Sequence, residues 1–269
     1  MTTSYLDRGP GRIAYDVAGD GPLVICLPSM GDVRSVFRHT VPALVAAGYR
    51  VAMMDLRGHG DSDDGFDSYD DVALASDVLA LIDHLGGDPA LILGNSMGAA
   101  AGVWLAAEHP DKVAGLAFVG PFVRNPKASR LALLGMRLAL TKPWGPAAWT
   151  AYYKRYYPVQ PPADLDEHRA RIKASLARGD HWRSFVKTSR TDHTPAEERL
   201  DRVKAPVLVI MGEKDPDWPS PADEARFVAS ALNGELVLLP DTGHYPQAQR
   251  PERVNPALVA FFDKTVKRA

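Results

Sequence analysis

The sequence is short of several things, and each shortage removes a class of function. It has one cysteine, Cys26, in 269 residues. No intramolecular disulfide is possible. Charge of one sign is also missing: 31 Lys and Arg against 33 Asp and Glu give a formal net charge of −2, so no global field favours nucleic acid or a membrane surface. No apolar run approaches the eighteen or so residues of a spanning helix, and residues 1–12 contain no apolar stretch of the signal-peptide kind. Together these features read as a cytoplasmic protein without a membrane span. Cys26 sits inside the apolar run 22–27 with no basic neighbour in sequence, which reads as a buried strand residue.

What is present is a repeated alternation of strand and helix signals. Residues 11–18 read as a short antiparallel start and residues 22–27 as a buried strand. Helical spacing resumes over 33–47 at Val36, Val41, Leu44 and Val45, and 49–56 is the next strand. The acidic loop 61–71 precedes an amphipathic helix carrying Val72, Leu74, Val78, Leu79, Ile82 and Leu85, stopped by Gly86-Gly87. Further strands fall at 91–94, 113–119, 206–211 and 236–239, with helices after 96, at 221–232 and at 251–267. Strands alternating with helices predict an α/β fold with a mostly parallel twisted sheet covered on both faces.

Between 121 and 195 the alternation stops. That segment is helical and aromatic, with Trp149, Tyr152, Tyr153, Tyr156 and Tyr157 spaced to share one helix face over 149–157, a face that reads first as packing onto the sheet domain and second as substrate contact. Its 14 Lys and Arg against 5 Asp and Glu over 122–194 give it a local charge of +9, read here as a solvated basic face. The domain reading is therefore a core of residues 1–120 and 196–269 with a helical insertion at 121–195.

The chemistry concentrates at Gly94-Asn95-Ser96-Met97-Gly98. A glycine–x–serine–x–glycine run between an apolar strand and a helix is a sharp, strained turn that raises the serine hydroxyl above the sheet edge. The same turn leaves the Met97 backbone N–H free at the head of the helix, where a negative charge is favoured. A neutral serine needs a base, and the base needs a carboxylate to fix its tautomer. Of the eight histidines, His244 fits best, in a Gly-His turn after the last strand. His39, His84 and His109 read as helix-surface or capping residues, and His59 lies in a glycine-rich loop. His168, His181 and His193 belong to the insertion and at most line a pocket. For the acid, Asp215 competes with Asp217, and Asp215 stands nearer the strand end with Pro216 stiffening the turn after it. Ser96, Asp215 and His244 each follow a predicted strand, which gathers them at the carboxyl edge of the sheet.

With Asp55-Leu-Arg-Gly-His-Gly-Asp-Ser62, Gly94-Asn-Ser-Met-Gly98, Gly212-Glu-Lys-Asp215 and Gly243-His244, the chain resembles a cap-bearing α/β-hydrolase of the esterase and carbon–carbon-bond hydrolase type. The resemblance implies a helical cap over the site and a second oxyanion donor in the loop after the first central strand. Relatives usually carry His-Gly there; this chain has Pro28-Ser29, and by position the donor is the Met30 N–H. The expected activity is ester hydrolysis through an acyl-enzyme on Ser96, with no metal or organic cofactor and a small-molecule ester as partner. Carbon–carbon hydrolysis of a vinylogous diketone is the first alternative, and a non-enzymatic receptor or regulator on the same fold is the second. Ser29, Phe122, Trp149, Tyr153, Trp218 and Tyr245 are the pocket candidates.

Overall fold

The computed structural model of the chain describes residues 2–126 and 130–267. Eight strands form one sheet in the order β1-β2-β4-β3-β5-β6-β7-β8. They are β1 Ser4–Asp7, β2 Arg12–Ala18, β3 Leu23–Leu27, β4 Arg50–Met54, β5 Ala90–Asn95, β6 Val113–Val119, β7 Val207–Gly212 and β8 Glu235–Leu239. From β4 to β8 every pairing is parallel, while β1 and β2 join antiparallel at one edge. Strand β1 has no counterpart in the sequence reading: its pattern is exposed at all but Leu6, so alternation was too brief to register.

The central parallel strands are mostly apolar because helices cover both sheet faces. On one side α2 (Asp71–His84), α3 (Met97–Glu108) and α9 (Pro221–Ala231) share a core with Ile25, Ile92 and Phe118. On the other, α1 (Val41–Ala46) and α11 (Pro251–Val266) pack on Val24, Leu91 and Leu93 through Leu44, Leu258 and Phe262. Helix α2 begins where Asp70 accepts from the Ala73 N–H at 2.8 Å, a side-chain N-cap. The expected helix over 33–47 is instead divided. A 3₁₀ turn spans Arg34–Phe37, and α1 starts only at Val41, with Pro42 in its first turn; proline is accepted there and not in a helix interior.

Between β6 and β7 the chain is helical among the described residues: α4 Arg130–Ala139, α5 Gly145–Tyr152, a 3₁₀ turn Tyr153–Tyr156, α6 Leu165–Leu176, α7 His181–Thr188 and the short α8 Thr194–Glu197. The expected helix over 149–157 is thus an α-turn that tightens to 3₁₀ and ends at Tyr157. Pro158 follows and drives the preceding residue out of helical backbone, at φ −120° and ψ 63°. Trp149, Tyr153, Tyr156 and Tyr157 are nevertheless buried together, in the core that α1 and α11 share. One more short helix, α10 Pro246–Gln249, precedes α11. No described helix is long and apolar enough to cross a membrane.

Candidate active site

Strand β5 hands directly to α3 through Ser96, whose backbone sits at φ 56° and ψ −121°. A non-glycine residue there is strained and persists only if its surroundings hold it. They do: the Ser96 N–H donates to Val119 O at 3.2 Å, and Ser96 O accepts from the N–H groups of Ala99 and Phe122 at 2.9 and 3.1 Å. The flanking glycines are there for space. A Cβ on Gly94 would fall 2.5 Å from Gly98 O, and one on Gly98 would fall 2.8 Å from both Cβ and O of Leu27. Asn95, a residue the sequence reading left without a role, donates its Nδ2 to Val119 O at 2.7 Å and reaches His244 O at 3.4 Å. It joins the serine turn to the histidine loop.

The backbone N–H groups of Met97 and Met30 have no acceptor among the described residues. Both residues line one cavity with Ser96 and His244. The loop that carries Met30 is held from behind. Asp32, at its end, is buried and accepts from His168 Nε2 at 2.7 Å, from the Tyr153 hydroxyl at 2.5 Å and from the Val33 N–H at 2.7 Å. Trp149 Nε1 donates to Gly31 O at 3.2 Å. Side chains of the helical insert therefore fix the geometry of the 29–32 loop. Asp32 was invisible in the sequence because its partner is 136 residues away.

His244 donates from Nδ1 to Asp215 Oδ2 at 2.7 Å with both side chains buried, and Asp217 Oδ2 stands farther off at 3.8 Å. Asp215 Oδ1 is committed to the Asp217 N–H at 3.0 Å. The histidine loop is anchored by the His244 N–H to Tyr156 O at 3.1 Å and by Gln249, which accepts from the Gly243 N–H at 2.8 Å. Burial pulls the His244 pKa down, but Asp215, followed by Asp217 and Asp32, outweighs it and leaves the imidazole above its ordinary 6.5. Burial raises Asp217 to about 6, opposed by His244 and helped by Asp215. No hydrogen bond joins Ser96 Oγ to His244 in this structure. Hydrogen bonds of this kind are often long or absent in unliganded sites.

The cavity over Ser96 holds about 360 Å³. Of the sequence candidates, Ser29 and Phe122 are in its wall and Trp149, Tyr153, Trp218 and Tyr245 are not. Each of those four is used in packing. Trp149 lies against Phe185 with centroids 4.7 Å apart, Tyr153 is bound to Asp32, Trp218 packs on Phe122 at 4.6 Å, and Tyr245 stacks on Tyr157 at 5.3 Å and 11°. The wall is made instead by Tyr156, Met136, Leu140, Val186 and His193. His193, which the sequence reading allowed at most a lining role, is held there by Asp71 at 2.7 Å. A larger cavity of about 580 Å³, between the Arg34–Phe37 turn and α6, is remote from this chemistry. Its Arg34, Arg38 and Arg178 are already ion-paired with aspartates.

Asp215, Asp217 and His244 bring three ligand-type atoms within 4.8 Å of one another. The 2.7 Å hydrogen bond between His244 and Asp215 accounts for that convergence and occupies the imidazole Nδ1 that a metal would need. Cys26 is buried in β3, and burial alone pushes its thiol far above the ordinary range, so it is inert.

A parallel sheet with a strained serine at its central strand-to-helix turn, and an Asp–His pair at the same edge, defines a hydrolase of the nucleophile-turn class. The chain belongs to the alpha/beta hydrolase fold family, whose model matches residues 22–251. It is 32% identical over 93% of its length, and 97% of the other chain, to a Mycobacterium tuberculosis protein whose name assigns it only provisionally as the non-heme bromoperoxidase BpoC. It is 31% identical, over 93% and 90% of the two chains, to the 2-hydroxy-6-oxononadienedioate/2-hydroxy-6-oxononatrienedioate hydrolase 1 of Dechloromonas aromatica. Among solved structures it is similar to the enol-lactonase of Burkholderia xenovorans, with a TM-score of 0.80, 25% identity, and coverage of 97% and 100%.

Proposed function

We propose that this hydrolase cleaves carboxylic esters through an acyl-enzyme on Ser96, with His244 as base and acid, Asp215 as the carboxylate that orients it, and Met30 and Met97 as oxyanion donors. The observation that carries the reading is the strained Ser96 in one cavity with Met30 and Met97, whose backbone N–H groups have no acceptor among the described residues. In the sequence of events, Ser96 Oγ attacks the ester carbonyl as His244 Nε2 takes its proton. The carbonyl oxygen becomes an anion between the Met30 and Met97 N–H groups. Collapse breaks the bond to the alcohol, which leaves with the proton from His244. Water, deprotonated by His244, then repeats the attack and frees the acid. Asp215 keeps the Nδ1–H tautomer in place, so that Nε2 is the basic nitrogen.

In this reading residues 121–195 are a cap whose contribution is twofold. Met136, Leu140, Tyr156 and Val186 give the cavity an apolar wall suited to an acyl chain. Trp149, Tyr153 and His168 hold the loop that carries Met30. A second reading, carbon–carbon hydrolysis, is favoured by the identity with the Dechloromonas aromatica hydrolase, and the enol-lactonase neighbour favours ester-type chemistry. The deciding experiment offers the protein chromogenic esters graded in acyl length alongside a vinylogous diketone. Ester turnover exceeding diketone turnover in kcat/KM supports the proposal; the reverse order overturns it in favour of carbon–carbon hydrolysis. Tight retention of either compound with no turnover favours a receptor.

A further inference from the structure

Helix α4 carries an apolar stripe that nothing among the described residues covers. Leu131, Leu134 and Leu138, at i, i+3 and i+7, are 79%, 51% and 56% exposed, Met136 is 44% exposed, and Trp144 just beyond the helix is 56% exposed. Single exposed apolar residues are ordinary, but a run of five on one short segment is not. The Trp144 indole is fixed beside the stripe by its Nε1 bond to Leu138 O at 2.9 Å.

The chain that carries the stripe has charge of one sign. From residue 112 to 163 the sequence contains no Asp or Glu, while Arg137 lies in α4 and Lys142, Lys154 and Arg155 follow it in the chain. Arg137 and Lys142 are exposed and have no ion-pair partner among the described residues. A short cationic helix presenting leucines and a tryptophan has the composition of one that lies in a lipid–water interface. The position matters as much as the composition, because Met136, Arg137 and Leu140 also line the Ser96 cavity.

We propose that α4 and the turn after it dock on an anionic phospholipid surface, with the leucine stripe and Trp144 among the acyl chains and the cations at the headgroups. Docking sets the mouth of the Ser96 cavity against the lipid, so that apolar substrates enter from the membrane side. The one-sided charge decides against the other occupant of such a stripe, a second copy of the chain. A twofold contact through α4 would face the same cations against each other.

The test uses the full chain and does not depend on the ester reading. Co-sedimentation with phosphatidylcholine vesicles containing phosphatidylglycerol is compared with pure phosphatidylcholine, at low and high salt, with Trp144 emission followed in parallel. The expected result is binding at least tenfold tighter to the anionic vesicles, weakened about tenfold by 0.5 M salt, and a blue shift absent from Trp144→Phe. The double variant Leu134→Ser, Leu138→Ser should bind at least tenfold more weakly while keeping the parent's thermal midpoint and its rate on a short water-soluble ester. No vesicle binding by the parent chain overturns the proposal. Undiminished binding by the double variant moves the surface elsewhere and overturns it as well. A concentration-dependent dimer that this variant abolishes assigns the stripe to self-association instead. If no ester is turned over at all, the vesicle result still decides the docking question, and only the catalytic reading fails.

Discussion

Replacing Asp217 by asparagine removes the farther of two negative charges beside the His244 ring and leaves the nearer one in place. On the proposed mechanism the catalytic form of His244 is neutral, so kcat/KM should rise with pH through its pKa, which Asp215 and its neighbours hold above 6.5 against the pull of burial. Asp217 contributes across 3.8 Å. At that separation a unit charge is worth about 1 kcal/mol in bulk water and about 4 kcal/mol at an effective dielectric of 20. The imidazolium charge is spread over a ring that extends away from the contact, so the lower figure applies. The pH midpoint of Asp217→Asn should therefore fall by roughly one unit. Its plateau rate should stay within about tenfold of the parent, because the 2.7 Å bond that fixes the tautomer is intact. Asp215→Asn should instead lose roughly 10³ to 10⁴ in kcat. The assay is a pH profile of initial rates on one activated ester, between about pH 5 and 9, for the three proteins. A larger loss in Asp217→Asn than in Asp215→Asn would refute the assignment, and an unmoved midpoint would refute the electrostatic argument.

Phe122→Ala, which opens the cavity wall, should change the preferred acyl length, each methylene being worth about 1 to 3 kcal/mol in kcat/KM; rate profiles over graded esters check this. Tyr153→Phe should leave that profile alone and lower stability by about 1 to 3 kcal/mol, because it takes a donor from the buried Asp32 carboxylate; chemical denaturation reads the loss. In Gly98→Ala the new methyl meets Leu27 at 2.8 Å, at a cost of about 1 to 3 kcal/mol, and serine reactivity should fall with stability. Arg38 holds the Asp164 carboxyl well below the usual carboxylate range, with opposition from burial and help from His39. That stabilisation is present above an unfolded aspartate pKa of about 4 and is lost as pH falls further. Asp164→Asn should flatten the acid side of the stability–pH curve.

The sheet was legible from the sequence because parallel strands are buried on both faces and read as unbroken apolar runs, as in 91–94 and 206–211. The serine turn was legible because its glycines are needed for space at fixed offsets. Asp215 and His244 could be paired because both follow strands that end at one edge. Strand β1 was missed because four residues with one buried side chain carry too little pattern. The aromatic segment was legible only in part. Spacing shows that Trp149 and Tyr153 share a face, but whether that face meets a cavity or a neighbouring loop depends on partners such as Gly31 and Asp32, which lie over a hundred residues away in sequence. The same distance hid the Asp32–His168 pair and the placing of His193 by Asp71.

The most direct measurement of the central claim is peptide mapping after reaction of the folded protein with a fluorophosphonate. It captures the nucleophile only where base, turn and oxyanion donors act together. The account predicts a single adduct, on Ser96, lost in His244→Ala and blocked by prior incubation with an ester substrate. An adduct on another residue, or none on folded protein, would contradict it.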